Sequence, residues 1–331
     1  MPSAAALDCE VLIVGAGPVG LITALNLARE GINVILLEAF DEVIQSPRAM
    51  AYGPAGVYEL ERSGIADECR ELGMSREDEA DYNRVVRWIT IDNKPICSLE
   101  FSVLGENRRP PVVCGQHLVA GVIIRRLEKY PGVATVLFGH KFIGVEQDGN
   151  SVTAVVQTKE GEKRFTAKYL VGADGARSTV RKQIGCTFDG FTYDKMIVAT
   201  NVYYPFVENG FHRGQFIVHP EHFALVIPLP PPLPPSIAPA GHKHYLTFLS
   251  TDRKMRQRRH VPRLLRRRLL PNPRPSPRKP RHKIQRHFPW SQARHREIPA
   301  GNVLALSTAP ARCEYVPCGT GPARGRCGAC V

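Results

Sequence analysis

No run of 18 apolar residues occurs in the 331-residue chain, and its N-terminus lacks a basic segment followed by an apolar one. Neither a membrane-spanning helix nor a signal peptide is expected. Short-range cysteine pairs are missing from the first part of the chain, where Cys9, Cys69, Cys97, Cys114 and Cys186 are scattered, and the total of nine is odd. This argues against a disulfide framework and suits reduced thiols in a cytoplasmic protein. Acidic residues are absent from 253 to 296, where 17 Lys and Arg accumulate, whereas residues 1 to 242 hold 23 Lys and Arg against 28 Asp and Glu. The formal net charge of +13 therefore belongs to one segment and does not describe the protein as a whole.

Proline divides the chain in the same way, with 18 of 28 at or beyond Pro228. After about Pro228 the periodicity fails, and from Asp252 to Ile298 the density of Arg and Pro leaves neither a helical nor an alternating pattern, so a disordered or loosely packed segment is expected. The same basic segment could serve as a nucleic-acid arm, but it holds only Phe288 and Trp290 for stacking on bases, and no nucleic-acid partner is expected.

Before that point the patterning is regular. Cys9 to Val14 is a short apolar run, Val19 to Glu30 repeats apolar residues at helical spacing and stops at Gly31, and Asn33 to Leu37 is a second β-branched run. Strand, helix and strand make a βαβ unit with a parallel pair. Gln116 to Tyr130 reads as an amphipathic helix closed by Pro131. Thr135 to Phe138, Phe142 to Gln147, Val152 to Thr158 and Arg164 to Val171 read as a β-meander, with turn chemistry at Asp148-Gly149-Asn150 and Glu160-Gly161. Ile197 to Tyr204, Gln215 to Val218 and Phe223 to Ile227 are candidate strands of a second sheet.

The βαβ turn is Gly15-Ala16-Gly17-Pro18-Val19-Gly20. Gly15 permits a tight turn, Gly17 lets backbone approach a pyrophosphate, and Gly20 allows close helix packing while the helix N-terminus faces the anion. Glu38 ends the next strand, placed to accept from both ribose hydroxyls of an adenosine moiety, which argues against a 2′-phosphate in this groove. These features fit NAD or FAD equally.

A second segment, Tyr169 to Arg181, carries Gly172-Ala173-Asp174-Gly175 and then Ser178 and Arg181. A strand would deliver Asp174 to the ligand, Gly175 would make room, and Arg177 and Arg181 would offer positive charge to phosphate. The segment resembles the second fingerprint of the FAD-dependent aromatic hydroxylases, the class A flavoprotein monooxygenases that include phenol and p-hydroxybenzoate hydroxylase. The likeness covers residues 9 to about 227, and Phe191 to Ile227 is similar to the substrate sheet of fungal-type members. It implies an FAD site with Gly15, Gly17, Gly20, Glu38, Asp174 and Gly175, together with Arg48 and Gln116, whose positions match an Arg and a Gln that bind the cofactor in the family.

The resemblance further implies NAD(P)H as co-substrate, O2 as oxidant and a small aromatic substrate, phenolic or polyketide-like, in secondary metabolism or aromatic catabolism. The cofactor would carry the chemistry, so no paired-carboxylate or Ser-His-Asp constellation is expected. Tyr203, Tyr204, His212 and His219 are candidates to face a substrate. The remaining alternatives are a flavin oxidoreductase without oxygen insertion, a NAD-dependent dehydrogenase, or an inactive remnant.

The expected fold is α/β: a Rossmann-like FAD-binding domain with β-meander at 1–190, the start of a mixed β-sheet substrate domain at 191–228, a Pro/Arg-rich segment at 229–298 and a degenerate remnant of a third FAD motif at 299–331. Gly301 to Leu306 reads as the leading strand of that motif, but Ser307-Thr308-Ala309-Pro310 follows where the family has Gly-Asp. An altered reading frame after roughly residue 228 would explain both departures, and translating the transcript's other two frames tests it. Cys313, Cys318, Cys327 and Cys330 match no common zinc spacing, so no metal site is expected.

Overall fold

The computed structural model describes residues 7–45, 49–73, 85–104, 111–203, 214–220, 223–229, 244–251, 283–284, 288–294 and 303–305. In chain order the strands and helices are β1 (Cys9–Val14), α1 (Pro18–Arg29), β2 (Val34–Leu37), β3 (Ala51–Tyr52), α2 (Pro54–Arg62), α3 (Ala66–Leu72), β4 (Val85–Thr90), β5 (Pro95–Glu100), β6 (Val112–Val113) and α4 (Gln116–Leu127). They continue with β7 (Ala134–Leu137), β8 (Lys141–Gln147), β9 (Val152–Thr158), β10 (Gly161–Gly172), α5 (Thr179–Gln183), β11 (Asp189–Tyr203), β12 (Gln215–Val218), β13 (Ala224–Leu229) and β14 (His244–Thr251). Last come β15 (Lys283–Ile284), β16 (Phe288–Arg294) and β17 (Val303–Ala305).

The chain divides into two compact units. The first comprises Met1–Ser46, Gln116–Phe191 and Gln292–Val331, and the second Pro47–Gly115 and Thr192–Ser291. Residues 47–115, grouped with the 1–190 domain on sequence, thus cluster with the second sheet.

A sheet of order β7-β2-β1-β10-β9-β8 organises the first unit, with β17 also paired to β10. The β1–β2, β2–β7, β1–β10 and β10–β17 pairs are parallel, and β10–β9 and β9–β8 are antiparallel. One long strand therefore belongs to both halves: β10 begins opposite β9 and ends between β1 and β17. The inward residues Leu12 and Val14 of β1 join Leu37, Val152, Ala154, Val156, Ala167, Leu170 and Val180 in a buried cluster. Their alternation with Val11 and Ile13 turns those two to the other face of the sheet. Helix α1 packs against α4 and β2 and buries Leu21, Ala24, Leu25 and Ala28. It starts where Gly17 is extended and Pro18 fills the first helical position, and it stops at Gly31, whose φ of 75° lets the Ile32 N–H donate back to Leu27 O at 3.1 Å.

The second unit is built on a mixed sheet of order β15-β11-β14-β13-β12-β4-β5, with β16 also paired to β11. Its β12–β4 pair is parallel, and β13–β14 and β11–β14 are antiparallel.

Two sequence expectations about these strands change. Strand β7 is not part of the meander: it pairs parallel with β2, because α4 returns the chain to that edge as a crossover. The antiparallel meander is β8, β9 and β10 alone. The segment expected to be unstructured after Pro228 contains β14, whose run Tyr245 to Leu249 is β-rich but lies between a Pro-dense stretch and an Arg-rich one that hide it in a compositional reading. Strands β15 and β16 also fall within 229–298. The rest of that segment lies outside the described residues, as do Ser307 to Val331 with the four C-terminal cysteines.

Candidate cofactor-binding site

The three glycines of the first turn do three different things. At Gly15, φ is 104° and an added Cβ would lie 2.6 Å from Ala173 O, so the turn sits directly on the Asp174 segment. At Gly20, a Cβ would lie 2.0 Å from Gly15 O, which forces the helix to be glycine at this point. At Gly17, a Cβ would meet nothing within 4 Å. Its absence therefore serves no internal packing, and it leaves open space at the N-terminus of α1. No side chain caps that helix, so its first-turn amides remain available to an anion.

Glu38 follows β2 and is half-buried. Ala16 N–H donates to its Oε2 at 2.8 Å and Phe40 N–H to its Oε1 at 3.0 Å. The carboxylate is thereby fixed beside the glycine turn with lone pairs left over for hydroxyl donors.

The Asp174 segment is held by a closed set of hydrogen bonds. Ala173 N–H donates to Val14 O at 2.8 Å, tying the segment to the end of β1. Asp174 Oδ1 accepts from Ser178 Oγ at 2.5 Å, and Oδ2 accepts from the Thr179 and Val180 amides at 2.6 and 3.2 Å. Ser178 Oγ in turn accepts from the Arg181 amide at 2.9 Å, capping α5. The acid that sequence alone aimed at a ligand is thus mainly occupied in shaping its own loop. Gly175, at φ 81° with open space at its Cβ position, makes the turn between them.

The two arginines separate. Arg177 is exposed, whereas Arg181 is 8 % exposed, its guanidinium donating to Ala176 O at 3.0 Å and lying 4.3 Å from the Phe188 ring centroid. Arg181 is thus a brace across the turn rather than an outward charge. Gln116 is the first residue of α4 and is half-buried. Arg48 lies outside the described residues, as do Tyr204 and His212. His219 is half-buried just beyond β12, and Tyr203 ends β11.

One residue of the second unit was read from the sequence only as the start of a strand. Gln215 on β12 is 4 % exposed, and its Oε1 has no hydrogen-bond partner. A buried acceptor left unpaired costs about 1–3 kcal/mol. The only sequence signal was a polar residue at an inward position of an otherwise apolar strand. Among the described residues no cluster of three or more potential metal ligands forms.

The family described as "FAD binding domain" matches residues 8–304. The chain belongs to this FAD-binding family. Para-nitrophenol 4-monooxygenase of a Pseudomonas species, strain WBC-3, is 38 % identical over 221 residues, which are 66 % of this chain and 53 % of that protein. The 6-hydroxy-3-succinoylpyridine 3-monooxygenase of Pseudomonas putida is 33 % identical over 62 % of this chain and 51 % of its own length. The chain thus spans about half the length of these curated relatives.

Among solved structures, p-nitrophenol 4-monooxygenase of Pseudomonas putida DLL-E4 superposes with a TM-score of 0.76 at 30 % identity, covering 89 % of this chain and 71 % of that one. A ternary complex of aklavinone-11 hydroxylase with FAD and aklavinone shares the fold, with a TM-score of 0.74 at 22 % identity over 91 % of this chain and 57 % of that one. In this FAD-binding family member, the open position at Gly17, the fixed carboxylate of Glu38 and the uncapped start of α1 fit the adenosine and pyrophosphate end of the cofactor.

Proposed function

We propose that this chain is the FAD-binding part of a monooxygenase that hydroxylates a phenolic aromatic ring with NAD(P)H and O2. The observation that carries the reading is the pairing of an empty Cβ position at Gly17 with a carboxylate already held at Glu38. When bound, FAD supplies the redox chemistry: NAD(P)H, a proton and O2 are consumed, a ring C–H becomes C–OH, and the second oxygen leaves as water.

The chain's own residues bind and orient. The first-turn amides of α1 receive the pyrophosphate. Glu38 accepts from the ribose hydroxyls. Asp174 and Ser178 hold the Gly175 turn against the end of β1, so that the backbone there is rigid before a ligand arrives. Arg48 and Gln116 complete the cofactor contacts by their positions in the family pattern. The second sheet, which joins β11 to β14 with β4 and β5, takes the substrate. Relatives that act on p-nitrophenol and on a hydroxylated pyridine support a small hydroxylated ring as substrate. The described cysteines form no disulfide with one another, which supports a cytoplasmic location.

The test is direct. The purified chain mixed with FAD is expected to be yellow with two absorption bands, to be stabilised against heat by FAD, and to oxidise NAD(P)H faster when 4-nitrophenol is added, with a hydroxylated product. A colourless protein whose melting temperature ignores FAD would sink the proposal.

A further inference from the structure

We infer that the substrate's aromatic ring stands above Cys97, stacked on the outer face of the Trp88 ring; the inference rests on the monooxygenase reading above. Four neighbouring strands of the second sheet, β5, β4, β12 and β13, bring Cys97, Trp88, Phe216 and Leu225 into one row as successive register partners. Register partners point to the same face of a sheet. Trp88 and Phe216 are stacked, with ring centroids 5.0 Å apart and planes 6° from parallel. That separation matches the spacing of neighbouring strands, so the two rings stand upright side by side rather than lying flat on the sheet. Phe223 closes the Phe216 end of the stack, its ring centroid 6.2 Å away and its plane tilted by 40°. At the Trp88 end the row finishes in Cys97, which is small, exposed and on the edge strand of the sheet.

The two faces of these strands differ. The face that carries Ile89, Ile217, Ala224 and Val226 with Gln215 is buried, so the sheet already has its packed side. A sheet with one packed face ordinarily turns polar residues to the other. Here the other face carries Trp88, Phe216, Phe223 and Leu225, all half-buried, and Leu99 and Val218, both exposed. An apolar cluster gathered on an open face marks a binding surface.

The shape of the free place names its occupant. A flat ring standing above Cys97 would lie one strand spacing, about 4.8 Å, from Trp88, within the range at which stacked rings attract. A saturated ring fills the same area without that attraction. The relatives named for p-nitrophenol and for a hydroxylated pyridine act on single six-membered rings, and one strand spacing holds one such ring.

The test needs no flavin signal. Trp88 and Trp290 are the only tryptophans of the chain, so in the full-length Trp290→Phe chain the indole fluorescence is that of Trp88. 4-Nitrophenol is expected to quench it along a saturating curve. Excess phenol should relieve the quenching, whereas cyclohexanol, of similar size but not flat, should not. In the same background Cys97→Phe puts a ring into the free place and should abolish saturation at concentrations that saturate the parent chain. Cys97→Ser leaves the place open and should keep it. Both substitutions fall at an exposed edge position, and a thermal melt is expected to show each within about 0.5 kcal/mol of the parent.

Quenching that rises linearly without saturating would overturn the inference, as would saturation that survives in Cys97→Phe or relief by cyclohexanol equal to that by phenol. Loss of saturation in Cys97→Ser would overturn it too, because the thiol and not the open place would then be responsible. A chain that takes up no FAD defeats the monooxygenase reading, whereas a chain that takes up FAD without saturable quenching defeats this inference alone.

Discussion

At the scale of single residues, Gly17 and Gly20 lie three positions apart in one motif, yet they answer to different constraints. A methyl at Gly20 would collide with Gly15 O, which is backbone and cannot step aside. Gly20→Ala is expected to destabilise the folded chain by about 1–3 kcal/mol, seen as a lower urea midpoint. A methyl at Gly17 meets nothing, and its φ of −70° suits alanine. Gly17→Ala should leave the urea midpoint within about 0.5 kcal/mol of wild type while weakening FAD binding at least about tenfold. Equal losses of stability in the two variants would remove the distinction between a packing glycine and a ligand-approach glycine.

Cys9 gives a second residue-scale expectation. Burial pushes its thiol from 9.0 up to about 11, so the folded chain holds the proton more tightly than the unfolded chain does. Between those values the unfolded state binds fewer protons, and stability falls as pH rises from 9 to 11, by on the order of 2 kcal/mol. Cys9→Ala should flatten that part of a pH series of urea midpoints. An unchanged slope would mean that other groups set it.

At the scale of elements, the loop between β10 and α5 shows how a motif is built from its own hydrogen bonds. Asp174→Ala removes the acceptor for Ser178 Oγ and for the Thr179 and Val180 amides, and should cost about 2 kcal/mol; Ser178→Ala, which removes the helix cap, should cost about 1 kcal/mol. Both are read from urea midpoints, and Asp174→Ala should also weaken FAD binding, since the Gly175 turn loses its frame. An Asp174→Ala chain as stable as wild type would mean that the loop holds without the carboxylate.

The difference between what was legible and what was not follows from sequence distance. The glycine turn, α1, β2 and Glu38 lie within 30 residues and announce themselves through local spacing. The Asp148 turn was equally legible, because its carboxylate accepts from Asn150 and Ser151 two and three residues on. Nothing local shows that Cys9 stands beside Ala167, or that Gln215 stands between Arg87 and Val226. Strand β4 passed unread for the same reason, since its parallel partner β12 lies more than a hundred residues on, and β5 pairs only with the adjacent β4. The internal role of Asp174 was hidden because a Gly-Ala-Asp-Gly run looks the same whether its acid faces a ligand or its own helix.

At the scale of the whole molecule, the proposed cofactor contacts gather in one of the two units. The glycine turn, Glu38 and the Asp174 loop all belong to the first unit. FAD at 100 times its dissociation constant stabilises the folded chain by about 2.7 kcal/mol, which for a protein of this size raises the melting temperature by on the order of 5 °C. That rise should fall to about half or less in Gly17→Ala at the same FAD concentration, because a tenfold weaker site leaves about 1.4 kcal/mol, and it should return once FAD is raised tenfold; an undiminished rise in the variant would mean that Gly17 does not meet the cofactor.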